Sequence, residues 1–150
     1  MKSINLSPLS QVTKIQNDFL VGCGLSELDM GPLVRLVAIG SSFLAGCTAL
    51  TSIDLAPLSQ LREVGHAFLA GCSGLKSIDL SPLSRVPVLG RSSFLERCSG
   101  LTFIDLNPFT NVVEVGRAFL AGCTGLVSID LGPLSQLQVL PASRCIYEGL

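Results

Sequence analysis

The chain repeats itself about every 25 residues, and that period restricts its fold more than any other feature. The aliphatic residues Ile4, Leu28, Ile53, Ile78, Ile104 and Ile129 follow one another at gaps of 24, 25, 25, 26 and 25. Phe19, Phe43, Phe68, Phe94 and Phe119 keep the same step, and each is followed four residues later by a cysteine. Pro8, Pro32, Pro57, Pro82, Pro108 and Pro133 keep it too. Three residue classes on one period identify an array. Each unit of such an array cannot bury its own apolar side, and does so by stacking on the next.

A clean unit is LTSIDLAPLSQLREVGHAFLAGCSG, Leu50 to Gly74. Ile53 and Leu55 are two apart, which predicts a strand with alternate side chains inward. Pro57 should end that strand, since it cannot donate a ladder hydrogen bond. Leu58, Leu61 and Val64 then fall three apart, as on an arc that dips into the core at each third residue. Gly65 suits a tight turn, and the spacing of Phe68 and Cys72 predicts a single helical or 3-10 turn. Stacking would set SIDL beside SIDL as parallel strands about 4.8 Å apart. The expectation is a right-handed solenoid with a parallel sheet along one face.

In that strand the residue between the inward aliphatics points outward. It is Asn5, Asp29, Asp54, Asp79, Asp105 and Asp130 in turn. Like charges at about 4.8 Å repel by roughly 1 kcal/mol in water, so the column needs compensation. One reading is local, with Ser52, Ser77, Ser128 and backbone amides donating across the ladder. The other is functional: an acidic strip that captures a Lys- or Arg-rich segment of a partner. Calcium is a poor fit, because a column offers each ion only two side chains. Phe103 and Val127 interrupt an otherwise small, polar set of outward neighbours, and an exposed aromatic there suits a binding anchor. The candidate partner-binding residues are therefore Asp29, Asp54, Asp79, Phe103, Asp105 and Asp130.

Other chemistry finds little support. With 48% hydrophobic and 14% charged residues the chain suits a large core and not disorder. A net charge of -1 gives no global pull toward nucleic acid or an anionic membrane. No apolar run is long enough for a membrane helix, and MKSINLSPLSQ lacks the apolar core of a signal peptide. As written, the chain reads as soluble and intracellular. None of the six cysteines forms a CxxC pair, and their even spacing suits small buried hydrophobes better than zinc ligands or a disulfide framework. Cys145 lies outside the period and is expected to be the most reactive. His66 has counterparts as different as Asn17, Ser41 and Arg117, which suits an exposed position and not a catalytic base. FLAGC is a structural turn, not a phosphate-binding loop. Arg62, Arg85, Arg91, Arg97 and Arg117 read as a solvated outer face. No catalytic, cofactor-binding or metal-binding residue is expected.

The pattern LxxIDLxPLxxLxxVGxxFLxGC resembles the leucine-rich repeat of the BspA-like subclass, also called the Treponema pallidum type, whose repeats end with Phe and Cys in this arrangement. The resemblance runs from Met1 to about Leu140. It implies an α/β repeat solenoid: a right-handed superhelix with its parallel sheet on the concave face and short, 3-10 or helical turns on the convex side. It also implies protein interaction or adhesion, often at the surface of bacteria and protists, and it transfers no catalytic residue. Residues 1–150 read as one domain of about five full repeats and a partial last one. No polar cap precedes Met1, and the pattern dissolves into PASRCIYEGL after Leu140. The expectation is thus a piece of a longer array, at the cell surface if its parent is, with self-association through uncapped ends open to it. The expected function is a non-enzymatic protein-interaction module. The alternative is a structural or antigenic surface array with no single partner.

Overall fold

In the computed structural model, residues 3–137 are described. Each repeat folds into the same succession of short pieces, and none is long enough to stand alone. Proline opens the first piece. A 3-10 turn covers Ser7–Leu9, and its equivalents are Gly31–Leu33, Ala56–Leu58, Ser81–Leu83, Asn107–Phe109 and Gly132–Leu134. Proline sits in the first turn of each, where its missing N–H costs nothing and its fixed φ suits the helix. All helical elements among the described residues are such single turns, so the helical share of the α/β expectation reduces to them.

Strands follow the 3-10 turns. They are β1 (Lys14–Ile15), β2 (Ala38–Ile39), β3 (Glu63–Val64), β4 (Val88–Ser92) and β5 (Glu114–Arg117). β1, β2 and β3 form one parallel sheet in sequence order, with Lys14 opposite Ala38 and Ala38 opposite Glu63. β4 and β5 form a second, with Val88 opposite Glu114.

The sheets therefore lie on the LREV segment and not on SIDL, which corrects the strand expected from Ile53 and Leu55. Leu55 has already left the extended region, at φ -91° and ψ -2°, to enter the 3-10 turn. The extended run before it is short. It is joined to its neighbours by single amide bonds such as Thr51 N–H to the Ser26 carbonyl at 3.2 Å and Lys76 N–H to Thr51 at 3.2 Å.

One continuous sheet is also not what forms. Val37, Arg62 and Val113 each donate an N–H to the preceding repeat at 2.8 to 2.9 Å, and Pro87 stands at the same step with no N–H to give. The ladder parts there, between β3 and β4.

The FLAGC segment overturns a second expectation. It holds no helix. In the third repeat Ala67, Leu69 and Gly71 take positive φ of 55°, 53° and 76°, with ordinary residues between them. The alternation turns successive amides to opposite neighbours: Ala67 N–H reaches Ser92, Leu69 N–H reaches Phe43, and Gly71 N–H reaches Glu96, at 2.9, 2.9 and 2.7 Å. A helical turn would have aimed these donors along its own axis and left the adjacent repeats unpaired.

The core is a single apolar cluster running through the whole array. Phe19, Phe43, Phe68, Phe94 and Phe119 stack face to face in it, with centroids 5.5 to 5.6 Å apart and planes within 17°. Phe109, which replaces a leucine of the 3-10 turn, meets Phe94 edge-on at 6.4 Å.

Candidate functional site

Each aspartate of the column has a local task. Oδ1 of Asp29, Asp54, Asp79, Asp105 and Asp130 accepts the backbone N–H two residues on, from Gly31, Ala56, Ser81, Asn107 and Gly132, at 2.8 to 2.9 Å. Asn5 does the same for Ser7 at 2.9 Å. These turns satisfy the first free amide of every 3-10 helix, as a capping side chain would. The compensation for the column thus comes from amides after the aspartate. The serines two residues before it make no such bond among the described residues. Only Asp79 gains a hydroxyl partner, Ser81 Oγ at 2.6 Å. That hydroxyl, with the Ser81 amide, holds the Asp79 carboxyl below its ordinary range.

All five aspartates are exposed, and one carboxylate oxygen of each stays clear of the turn bond. The single ion pair among the described residues is Arg97–Glu96 at 3.7 Å, so the column meets no cation there. Phe103 stands on the same segment, two residues before Asp105, and is 67% exposed. Val127, one repeat further, is 90% exposed. At the other end of this face a shallow depression is floored by Ile4, Leu28 and Ile53 and edged by Glu27, Asp29 and Asp54. The structure therefore sets the six candidate residues along one side of the array, open to solvent.

The interior carries no accessible nucleophile among the described residues. Cys47, Cys72, Cys98 and Cys123 are free and buried, and Cys23 is half-buried. Each buried thiol donates to a leucine carbonyl of the preceding repeat, Leu20, Leu44, Leu69 and Leu95, at 3.1 to 3.2 Å. Burial, more than the neighbouring sulfurs, pushes the Cys72 thiol up to about 12 and Cys123 to about 11, and raises Cys47 and Cys98 as well. Thiols held neutral this firmly are poor nucleophiles. Cys145 lies outside the described residues. His66 is exposed, as its variability between repeats predicts.

Sequence reasoning missed a second surface, because it placed the sheet on the wrong segment. The strands β1 to β5 line a groove of about 560 Å³. Gly40 and Gly65 leave its floor without side chains, and Lys14, Arg62, Glu63 and Glu114 line it. The signal was present in the sequence. Gly40, Gly65 and Gly90 recur on the repeat period, next to positions that carry charge.

A family model for the BspA type leucine rich repeat region matches residues 1–127, in six copies. Among solved structures the chain is similar to a leucine-rich repeat protein of T. pallidum, TpLRR, with a TM-score of 0.57 and 24% identity over 77% of this chain and 50% of that one. It is also similar to the functional domain of InlJ from Listeria monocytogenes, which includes a cysteine ladder, with a TM-score of 0.38 and 20% identity over 93% of this chain and 36% of that one. The chain thus spans half the length of the T. pallidum structure. No curated protein matches it.

Proposed function

The chain belongs to the BspA-type leucine-rich-repeat family, and on that footing we propose that it is a non-enzymatic protein-interaction module. Proteins built on this repeat are generally interaction or adhesion modules. The recognition surface is the aspartate side of the array, with Asp29, Asp54, Asp79, Asp105 and Asp130 offering carboxylate oxygens to a basic segment and Phe103 anchoring it. The observation that carries this reading is Phe103, an aromatic ring 67% exposed on the side that carries the aspartates. Exposed aromatics that become buried on binding dominate interface energies.

A second reading is supported by the turn bonds. If capping the 3-10 helix is all the aspartate does, the repeat is a structural or antigenic surface array without one partner.

The test uses two variants. Asn5 shows that an amide oxygen makes the same turn, so Asp54/Asp79/Asp105→Asn removes charge and keeps the fold. Phe103→Ser removes the anchor. Both are checked for folding by circular dichroism and used as baits beside the wild type. A partner held by the wild type and weakened at least about tenfold in both variants supports recognition through this face. Equal capture by all three leaves the structural array.

A further inference from the structure

The strand groove carries charge in an order that selects a ligand. Strand register places Lys14, Ala38 and Glu63 in one row across β1, β2 and β3 and Val88 opposite Glu114 across β4 and β5, and the repeat period sets Val88 next after Glu63. Along the array this row reads positive, small, negative, apolar, negative. Lys14, Glu63 and Glu114 are exposed, and none has an ion-pair partner among the described residues. Two residues on, just past the ends of these strands, come Gln16, Gly40 and Gly65. Gly40 and Gly65 put no side chain on this side of the row, where a methyl group at Gly65 would meet the Gly40 carbonyl carbon at 2.6 Å because the two repeats pack backbone to backbone. Arg62 lines the groove as well, but one residue out of the row.

The charged members lie two repeats apart, roughly 10 Å at the usual spacing of strands. A polyproline II helix has three residues per turn and a rise of about 3.1 Å, so its residues i, i+3 and i+6 lie on one side at intervals of roughly 9 Å. A β-strand does not match, because residues three apart face opposite ways. We propose that the strand groove binds a proline-rich peptide in the polyproline II conformation, running along the array with an acidic residue opposite Lys14 and basic residues three and six positions on, opposite Glu63 and Glu114. The bare Gly40–Gly65 side gives its pyrrolidine rings room to approach. This surface is separate from the aspartate side and does not depend on it.

The probes are two labelled synthetic peptides, Glu-Pro-Pro-Lys-Pro-Pro-Lys and its charge-inverted form Lys-Pro-Pro-Glu-Pro-Pro-Glu, followed by fluorescence anisotropy at low salt. The wild type is expected to prefer the first by about tenfold. The Lys14→Glu/Glu63→Lys/Glu114→Lys variant, whose changes are all at exposed positions, should invert that preference. The Asp54/Asp79/Asp105→Asn variant should bind like the wild type. Equal binding of both peptides, no binding at millimolar peptide, or a preference that survives the inversion overturns the proposal. Loss of the preference in the Asn variant also overturns it, and moves the peptide to the aspartate side.

Discussion

At the scale of single residues, the array accepts backbone strain where burial and hydrogen bonding outweigh it. Leu44, Leu69, Leu95 and Leu120 all hold φ between 53° and 59°. The left-handed region costs a leucine about 1–2 kcal/mol. Full burial of its side chain returns roughly 1.5–3 kcal/mol, and the amide it turns outward makes a bond to the preceding repeat. Two residues on, the chain uses glycine in most repeats, yet Arg97 stands there at φ 58° with its amide bonded to Ala121 at 2.7 Å. The aspartates work on the same scale. Asp54→Ala should cost about 1 kcal/mol, as the loss of a helix cap does, while Asp54→Asn should leave the thermal midpoint nearly unchanged. If both variants melt like the wild type, the turn bond contributes nothing to stability.

At the scale of elements, spacing between repeats is set by places where no side chain fits. Gly65 has no positive φ among the described residues, so it is not the tight turn its sequence suggests. It is there because a Cβ would lie 2.6 Å from both the Gly40 carbonyl carbon and the Ser41 nitrogen. A Cβ at Gly74, Gly100 or Gly125 would likewise lie 2.3 to 2.5 Å from a carbonyl oxygen of the preceding repeat. Ala49 takes the equivalent step only above the first repeat, whose stretch from Cys23 to Leu25 is one residue shorter than Cys47 to Leu50. Gly65→Ala should therefore lower stability by about 1–3 kcal/mol in urea unfolding, because the clash is with backbone that cannot rotate away. A neutral Gly65→Ala would mean that neighbouring repeats can separate by several tenths of an ångström without loss.

At the scale of the whole molecule, the thiol ladder links stability to pH. The folded thiols titrate above their ordinary range, so the unfolded chain releases protons first as pH rises. Below about pH 9 their contribution to stability is complete, and it is lost as pH climbs toward 11 and 12. Thermal midpoints should be flat with respect to these groups up to pH 9 and fall above it. Cys98→Val, which deletes the most deeply shielded thiol, should make that fall shallower. An unchanged slope would detach the ladder from alkaline unfolding. Among the described residues no helix is long and apolar enough to cross a membrane.

What the sequence alone determined was the period and, through it, the family and the inside of the molecule. Ile, Leu, Phe and Cys recurring every 24 to 26 residues leave little choice about which side chains stack, and those columns are the core. It also determined that aspartate recurs beside that core on an exposed side. Tertiary structure decided which backbone pairs. A hydrogen bond between repeats depends on where amides point, and side-chain spacing does not report that. SIDL alternates like a strand, yet Leu55 bends into a 3-10 turn stabilised by the Asp54 carboxylate. FLAGC has helical spacing, yet alternating φ joins it to two neighbours at once. The strand groove follows from the same cause: a surface on β1 to β5 can be located only once the ladder has been placed on Glu63 and Val64, and the ladder is a property of the stack, not of any one repeat.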